Sequence, residues 1–316
     1  MLLSFLLLIV GFAFLIKGAD WLVNGSTSIA RHYNVSELVI GLTIVAFGTS
    51  APELVVSIIS STKGLNDVTL GNVVGSNLFN LLLILGVSGV IFPLVVQVKT
   101  VWKEIPFSLL AAILLFLLAN YTFNSGEIRS IDRIDGIFLL FFFIIFLVYI
   151  FYNMKNNEEV LDAGFNEMKP VKSVLLIIVG LASLIISSRV VVDNAVKVAS
   201  ILGASEKIIG VTIVSAGTSL PELVTSVVAA FKRRSDLAIG NIIGSNIFNI
   251  LLVLGVSSII HPIEYNVSFN TDILLLIAST VLLFAFMFSG KRHKLDRWEA
   301  GLFIAAYLGY IYYLLR

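Results

Sequence analysis

The dipeptide Pro-Glu occurs twice in this chain, each time in the middle of an apolar run long enough to cross a bilayer. The first copy is Gly48-Thr49-Ser50-Ala51-Pro52-Glu53, inside a run from about Val35 to Ser61, and the second is Gly217-Thr218-Ser219-Leu220-Pro221-Glu222. Pro52 has no N–H to give to the carbonyl of Gly48, and its ring collides with that carbonyl, so a helix must kink or break there. A carboxylate at the centre of a spanning helix costs roughly 2.5–3.5 kcal/mol on insertion scales. Freed carbonyls at bilayer depth survive only where they are buried in protein or line a wet cavity. A fold that tolerates both copies must turn both broken segments inward.

The rest of the chain supplies helices to surround them. Of its 316 residues, 58% are hydrophobic and 13% charged, with a mean hydropathy of +1.01, whereas a soluble domain carries about 25% charged residues. Apolar segments of spanning length fall at about 2–30, 36–62, 67–91, 105–121 and 134–152, then at about 171–200, 206–231, 236–260, 271–289 and 298–315. The expected fold is an all-α polytopic membrane protein of ten transmembrane helices. A first five-helix repeat, 1–152, is joined by a polar linker, 153–170, to a second repeat, 171–316. Leu2 to Ile16 has neither a basic n-region nor a small-residue cleavage site, so it is read as a retained first span. The absence of cysteine excludes disulfides and thiolate metal sites, and a formal net charge of +1 gives no reason to expect a nucleic-acid partner. The three histidines, His32, His261 and His293, fall at predicted helix ends or loops and build no histidine metal site.

The halves align without a gap over a long distance. Glu53 and Glu222 differ by 169 positions, as do Gly71 and Gly240. Residues 71–93, GNVVGSNLFNLLLILGVSGVIFP, match 240–262, GNIIGSNIFNILLVLGVSSIIHP, and Asp132-Arg133 pairs with Asp296-Arg297 at a slightly shorter offset. This is an internal duplication. An odd number of helices per repeat brings the second half in from the opposite side, so the two repeats are expected to be inverted about an axis in the membrane plane. With the N-terminus outside, the cytoplasmic connections hold 13 basic residues: Arg31, Lys99, Lys103, Lys155, Lys169, Lys172, Lys232, Arg233, Arg234, Lys291, Arg292, Lys294 and Arg297. The outer side holds 5, namely Lys63, Arg129, Arg133, Lys207 and Arg316. The positive-inside rule therefore places both termini outside and the 153–170 loop in the cytoplasm.

Thr49 and Glu53 lie four apart, as do Thr218 and Glu222, so each pair shares a helix face. The prolines are expected to free carbonyls around Ala46 to Thr49 and around Ser215 to Thr218. In the following helix Asn72, Ser76 and Asn80 form one polar stripe, repeated as Asn241, Ser245 and Asn249. Carboxylates, hydroxyls, amides and carbonyls together make an all-oxygen site, which suits hard cations such as Ca2+ and Na+ rather than softer transition metals. Glu53 and Glu222 could instead be protonated structural carboxyls, but a symmetric pair beside helix-breaking prolines points to function. Asn72, Asn77, Asn241 and Asn246 read equally as ligands or as glue between helices. Asn80 and Asn249, one turn beyond the serine, read as ligands. Lys17 with Asp20 and Arg189 with Asp193 read as local ion pairs.

The residues GTSAPE with GNVVGSNLFN (48–80) and GTSLPE with GNIIGSNIFN (217–249) resemble the paired repeats of the calcium/cation antiporter superfamily, in its sodium/calcium exchanger branch. The resemblance extends over all ten helices in number and order. It implies an electrogenic plasma-membrane antiporter that moves Ca2+ against several Na+. Helices two, three, seven and eight would form a core, and the first and sixth a pair that slides across it. Carried over by position, the calcium site is Glu53 and Glu222 with the carbonyls of Thr49 and Thr218. One sodium site would use Ser50, Ser76 and the Ala46 carbonyl, and the other Ser219, Ser245 and the Ser215 carbonyl. Potassium-dependent relatives carry an aspartate where this chain has Asn249, so potassium co-transport is not expected. Proton/calcium exchangers of the superfamily show Glu-His after Gly-Asn, where this chain has Val73-Val74. The ions are substrates, and beyond the bilayer the resemblance implies no cofactor, no enzymatic activity and no obligatory protein partner. Three rivals stand beside it: a proton/calcium antiporter, a channel, and an intramembrane enzyme using Ser50 or Ser219, which lacks a base beside either serine.

Overall fold

The computed structural model describes residues 2–121, 129–154, 168–202, 215–289 and 293–315. Among the described residues, eight helices are long and apolar enough to cross a membrane: α1 (Leu2–His32), α4 (Asn66–Ile91), α5 (Thr100–Asn120), α6 (Arg133–Tyr152), α7 (Pro170–Ile201), α10 (Ser235–Ile260), α11 (Phe269–Phe286) and α12 (Arg297–Leu315). A bent pair, α2 (Glu37–Thr49) and α3 (Ala51–Thr62), meets at 45° and makes one broken span. The seventh expected segment is described from Ser215 onward, as α8 (Ser215–Thr218) and α9 (Leu220–Phe231). Its first part, and most of the 153–170 linker, lie outside the described residues.

The repeats are interleaved rather than side by side. α6, the last helix of the first repeat, packs on the end of α10, and α12 packs likewise on the end of α4. Small residues make both approaches possible: Gly136 lies against Gly255, and Gly86 against Ala300. Two short antiparallel clips repeat the exchange beyond the helix ends. β1 (Leu94–Val95) pairs with β4 (Lys294–Leu295), and β2 (Ser130–Ile131) with β3 (Ile263–Glu264). Leu94 therefore faces Leu295 while Ile131 faces Ile263, the same contact seen once from each repeat.

Burial separates an inner bundle from an outer rim. The central window of α10 is 83% buried, against 17% for α12, whose apolar side chains such as Leu308 and Tyr312 face outward as lipid-facing residues do. Inside, α2 crosses α10 with almost no side chain between them, Gly41 meeting Gly240 and Leu42 meeting Gly244. α1 and α7 form a separate antiparallel pair: Gly11 lies by Ser187, Gly18 by Gly180 and Gly25 by Ser173. Close approach through small residues is the usual way that helices associate in lipid, which offers no hydrophobic drive.

Candidate ion-binding site

Both broken helices break at a serine, not at the proline. Ser50 has φ −81° and ψ 3°, and Ser219 has φ −90° and ψ 9°, outside the helical well. Pro52 and Pro221 then fall in the first turn of α3 and α9, where N–H groups have no intrahelical acceptor in any case. Gly48 and Gly217 lose their helical partners as expected, but the Ala46 carbonyl is not freed. It accepts the Ser50 N–H at 3.0 Å and the Thr49 hydroxyl at 3.4 Å, because the helix stays wound up to the serine. Ser215 is the first residue of α8.

These breaks place Glu53 and Glu222 in the first turns of α3 and α9, where the unpaired N–H groups favour a negative charge. Both carboxylates are fully buried, at 0% exposure. Each is held by the opposite repeat. Ser219 donates to Glu53 Oε1 at 2.9 Å, and Ser50 donates to Glu222 Oε1 at 3.1 Å. Ser76 lies 3.0 Å from Ser219 and 3.5 Å from Glu53 Oε1. Ser76 thus groups with Ser219 at Glu53, while Ser50 stands at Glu222. The inverted packing aims each break at the other repeat's acid, a pairing that chain order does not show. Ser245, the repeat mate of Ser76, is fully buried with its Oγ unpartnered among the described residues.

The asparagines divide into two kinds. Asn72 donates to the Glu53 carbonyl at 3.1 Å and to Ser57 at 2.9 Å, and accepts from Thr218 at 3.3 Å. Its mate Asn241 donates to the Glu222 carbonyl at 3.4 Å and to Ser226 at 2.9 Å, and accepts from Thr49 at 3.1 Å. Asn77 and Asn246 each give an amide hydrogen to the other's backbone carbonyl, at 3.3 and 3.4 Å. These four are struts. Asn80 and Asn249 differ, since each donates through Nδ2 but leaves its buried Oδ1 without a partner. Both stand on a π-helical stretch, Phe79–Ile84 in α4 and Phe248–Leu254 in α10, which re-aims the side chains of the last third of each helix. Sequence reasoning missed these wide turns, for which no residue pattern is diagnostic.

On the broken helices and the polar stripes that follow them, five candidate ligand atoms are unpartnered: Glu53 Oε2, Glu222 Oε2, Asn80 Oδ1, Asn249 Oδ1 and Ser245 Oγ are buried oxygens able to accept. Each unmet buried acceptor costs about 1–3 kcal/mol. A hard cation satisfies such a set directly. Among the described residues no group of three or more His, Cys, Asp or Glu could hold a metal ion.

Outside this cluster, Lys17 bonds Asp20 at 3.0 Å as expected. Asp20 also receives the Lys232 ammonium from the end of α9, which reaches Asn24 Oδ1 at 2.6 Å as well. The expected Arg189–Asp193 pair is not among the ion pairs of the described residues; both side chains are exposed on α7.

The same architecture is found in known proteins. The sequence profile of the sodium/calcium exchanger protein family matches residues 3–152 and 172–316. The chain is 38% identical over 323 residues to the putative antiporter CaxA of Alkalimonas amylolytica, covering 99% of each chain. It is 32% identical over 352 residues to the sodium/calcium exchanger MaX1 of Methanosarcina acetivorans, covering 98% of this chain and 97% of the other. Solved structures of the sodium-calcium exchanger NCX_Mj, one soaked with Na+ and Sr2+, superpose with a TM-score of 0.84 at 35% identity over 98% of both chains. A doubled Pro-Glu break, two buried acids and a profile spanning both repeats lead to one statement: this multi-pass membrane protein belongs to the sodium/calcium exchanger family.

Proposed function

We propose that this chain is a secondary antiporter that exchanges Na+ for Ca2+ by alternating access, with the ions bound midway through the bilayer between its two repeats. The observation that carries this reading is the pair of fully buried glutamates, each with one oxygen unpartnered and the other held by a serine of the opposite repeat. Two carboxylates carry about −2, which one Ca2+ or two Na+ neutralise. Both loads cannot share the cluster, because neighbouring cations repel by about 4 kcal/mol at 4 Å even at an effective dielectric of 20. Mutual exclusion of that kind is what exchange requires.

Calcium is assigned to Glu53 and Glu222 with the carbonyls of Thr49 and Thr218, whose hydroxyls are already donated to Asn241 and Asn72. One sodium set gathers Glu53, Ser76, Ser219 and the Ser215 carbonyl. Its inverted mate gathers Glu222, Ser50 and Ser245, with Ala46 contributing less because its carbonyl is occupied. Asn80 and Asn249 complete the centre. The reading extends to a plasma-membrane protein organised as repeats 1–152 and 171–316, with both termini outside and the linker in the cytoplasm. Proteoliposomes provide the test. Calcium uptake driven by an outward sodium gradient at clamped pH is expected, and uptake that needs a pH gradient but no sodium would replace this reading with proton exchange.

Alternation is supported by an asymmetry between the repeats. α1 packs along α9, while its mate α7 does not pack comparably along α3. The ion pair from Asp20 to Lys232 follows the same division, since the mates of these residues are Arg189 and Lys63, two cations. The α1–α7 pair is thus held toward the Lys232 end. An ion pair about 30% exposed is worth up to about 1 kcal/mol, or roughly fivefold in a two-state equilibrium. Asp20→Asn is expected to release α1 by that factor, read as faster hydrogen exchange along α1 and the end of α9. Unchanged exchange in both would remove the pair from this role.

A further inference from the structure

We propose that Asn77 and Asn246 are positioning residues for transport: they fix the amide polarity of Asn249 and Asn80, so that each turns its Oδ1, and not its NH2, toward the transported cation. The inference rests on the assignment of Asn80 and Asn249 as ion ligands made above, and follows from a chain of donors and acceptors. The backbone carbonyl of Asn246 can only accept, so Asn77 must offer it Nδ2, at 3.3 Å. The Oδ1 of Asn77 is thereby aimed at Asn249, which must answer with its own Nδ2, at 3.1 Å. One amide face of Asn249 is then used, and the other, Oδ1, is left buried and unpartnered. The inverted copy runs the same way. Asn246 offers Nδ2 to the Asn77 carbonyl at 3.4 Å, its Oδ1 accepts from Asn80 at 3.1 Å, and Asn80 Oδ1 is left over.

An amide is nearly the same shape when flipped, so nothing in packing alone tells oxygen from NH2. Here a backbone carbonyl, which cannot be flipped, sets the polarity two links away. All four side chains are between 0% and 2% exposed, so water cannot readily supply a competing partner. If Asn249 or Asn80 turned, it would face a cation with a donor group and set two oxygens against each other at the strut. Asn77 and Asn246 are 169 positions apart, the repeat offset, and sit where α4 and α10 meet. The device therefore belongs to the interface between the repeats and serves both halves at once.

A double-mutant cycle on the full-length protein in proteoliposomes tests this, with the half-saturating concentrations of Na+ and Ca2+ read separately from maximal flux. Asn249→Ala is expected to raise the cation half-saturation about tenfold, as the loss of a charge-dipole contact should. Asn77→Ala should raise it similarly, and Asn77→Ala in the Asn249→Ala background should raise it no further, since Asn77 acts through Asn249. The mirror cycle, Asn246→Ala with Asn80→Ala, should behave alike. If the two changes multiply, or if Asn77→Ala lowers only maximal flux, Asn77 is structural and the proposal is overturned. If Asn249→Ala and Asn80→Ala both leave half-saturation unchanged, the ligand assignment itself fails, a distinguishable result. Asn77→Ser and Asn246→Ser, which keep a small polar side chain, carry the same cycles should the alanine variants not purify.

Discussion

Glu222→Gln, and separately Glu53→Gln, is expected to lower sodium-driven calcium uptake by roughly a thousandfold or more. Each change keeps the shape of the side chain and removes one of the two core charges. A unit charge pair at 4 Å and an effective dielectric of 20 is worth about 4 kcal/mol, about three decades of affinity, and a divalent ion feels more. The substitution also places an amide N–H₂ where an acceptor stood, at a position with 0% exposure and no other partner for it. Relief of the buried charge should leave folding intact or improved, so the variants are expected to run as monodisperse proteins with a melting temperature at or above that of the parent. Reconstituted flux measurements on such well-folded variants decide the matter. Calcium transport retained at a substantial fraction of the parent rate by either one would refute the site.

The second large effect is on packing. Gly240→Val should disrupt the fold of the core, because a Cβ at this position would lie 2.6 Å from the Leu38 carbonyl oxygen and 3.0 Å from the Gly41 Cα. Both contacts are backbone atoms of α2 and cannot rotate aside. α10 would have to move away from the broken helix that carries Thr49 and Ser50, so stability and site geometry should be lost together. Overpacking of this sort costs about 1–3 kcal/mol, and more where backbone must move. The expected result is a lower melting temperature with a smaller monodisperse peak. Gly309→Ala on the exposed side of α12 serves as the control, since nothing among the described residues lies within 4 Å of its new Cβ. Equal behaviour of the two variants would show that α2 and α10 do not depend on this crossing.

Much of the candidate site was legible in the sequence. Glu53 and Glu222 declared themselves by cost, since an acid beside a proline in an apolar span needs a compensating role. Asn80 and Asn249 were separable from the other asparagines only weakly, by their place beyond the serine. Their unpartnered Oδ1 atoms now distinguish them from Asn77 and Asn246, whose amide oxygen and nitrogen each have a partner. Chain order could not show that Ser50 bonds Glu222 while Ser76 bonds Ser219 and Glu53, because the second repeat enters upside down. Likewise nothing in the sequence joined Asp20 to Lys232, 212 positions away, while Arg189 and Asp193, at suggestive helical spacing, do not pair.

The sequence by itself determined the helical class, the duplication, the inward-facing breaks and the two acids. Hydrophobic length, repeat offset and the price of a buried charge are local quantities, readable one segment at a time. Only the tertiary structure decided which repeat's serine serves which carboxylate, where the helices actually break, and which amide oxygens are left to meet an ion. Those depend on how α3, α4, α9 and α10 cross, and a hydrogen bond is assigned by its partner's position in space, which no spacing along one chain records.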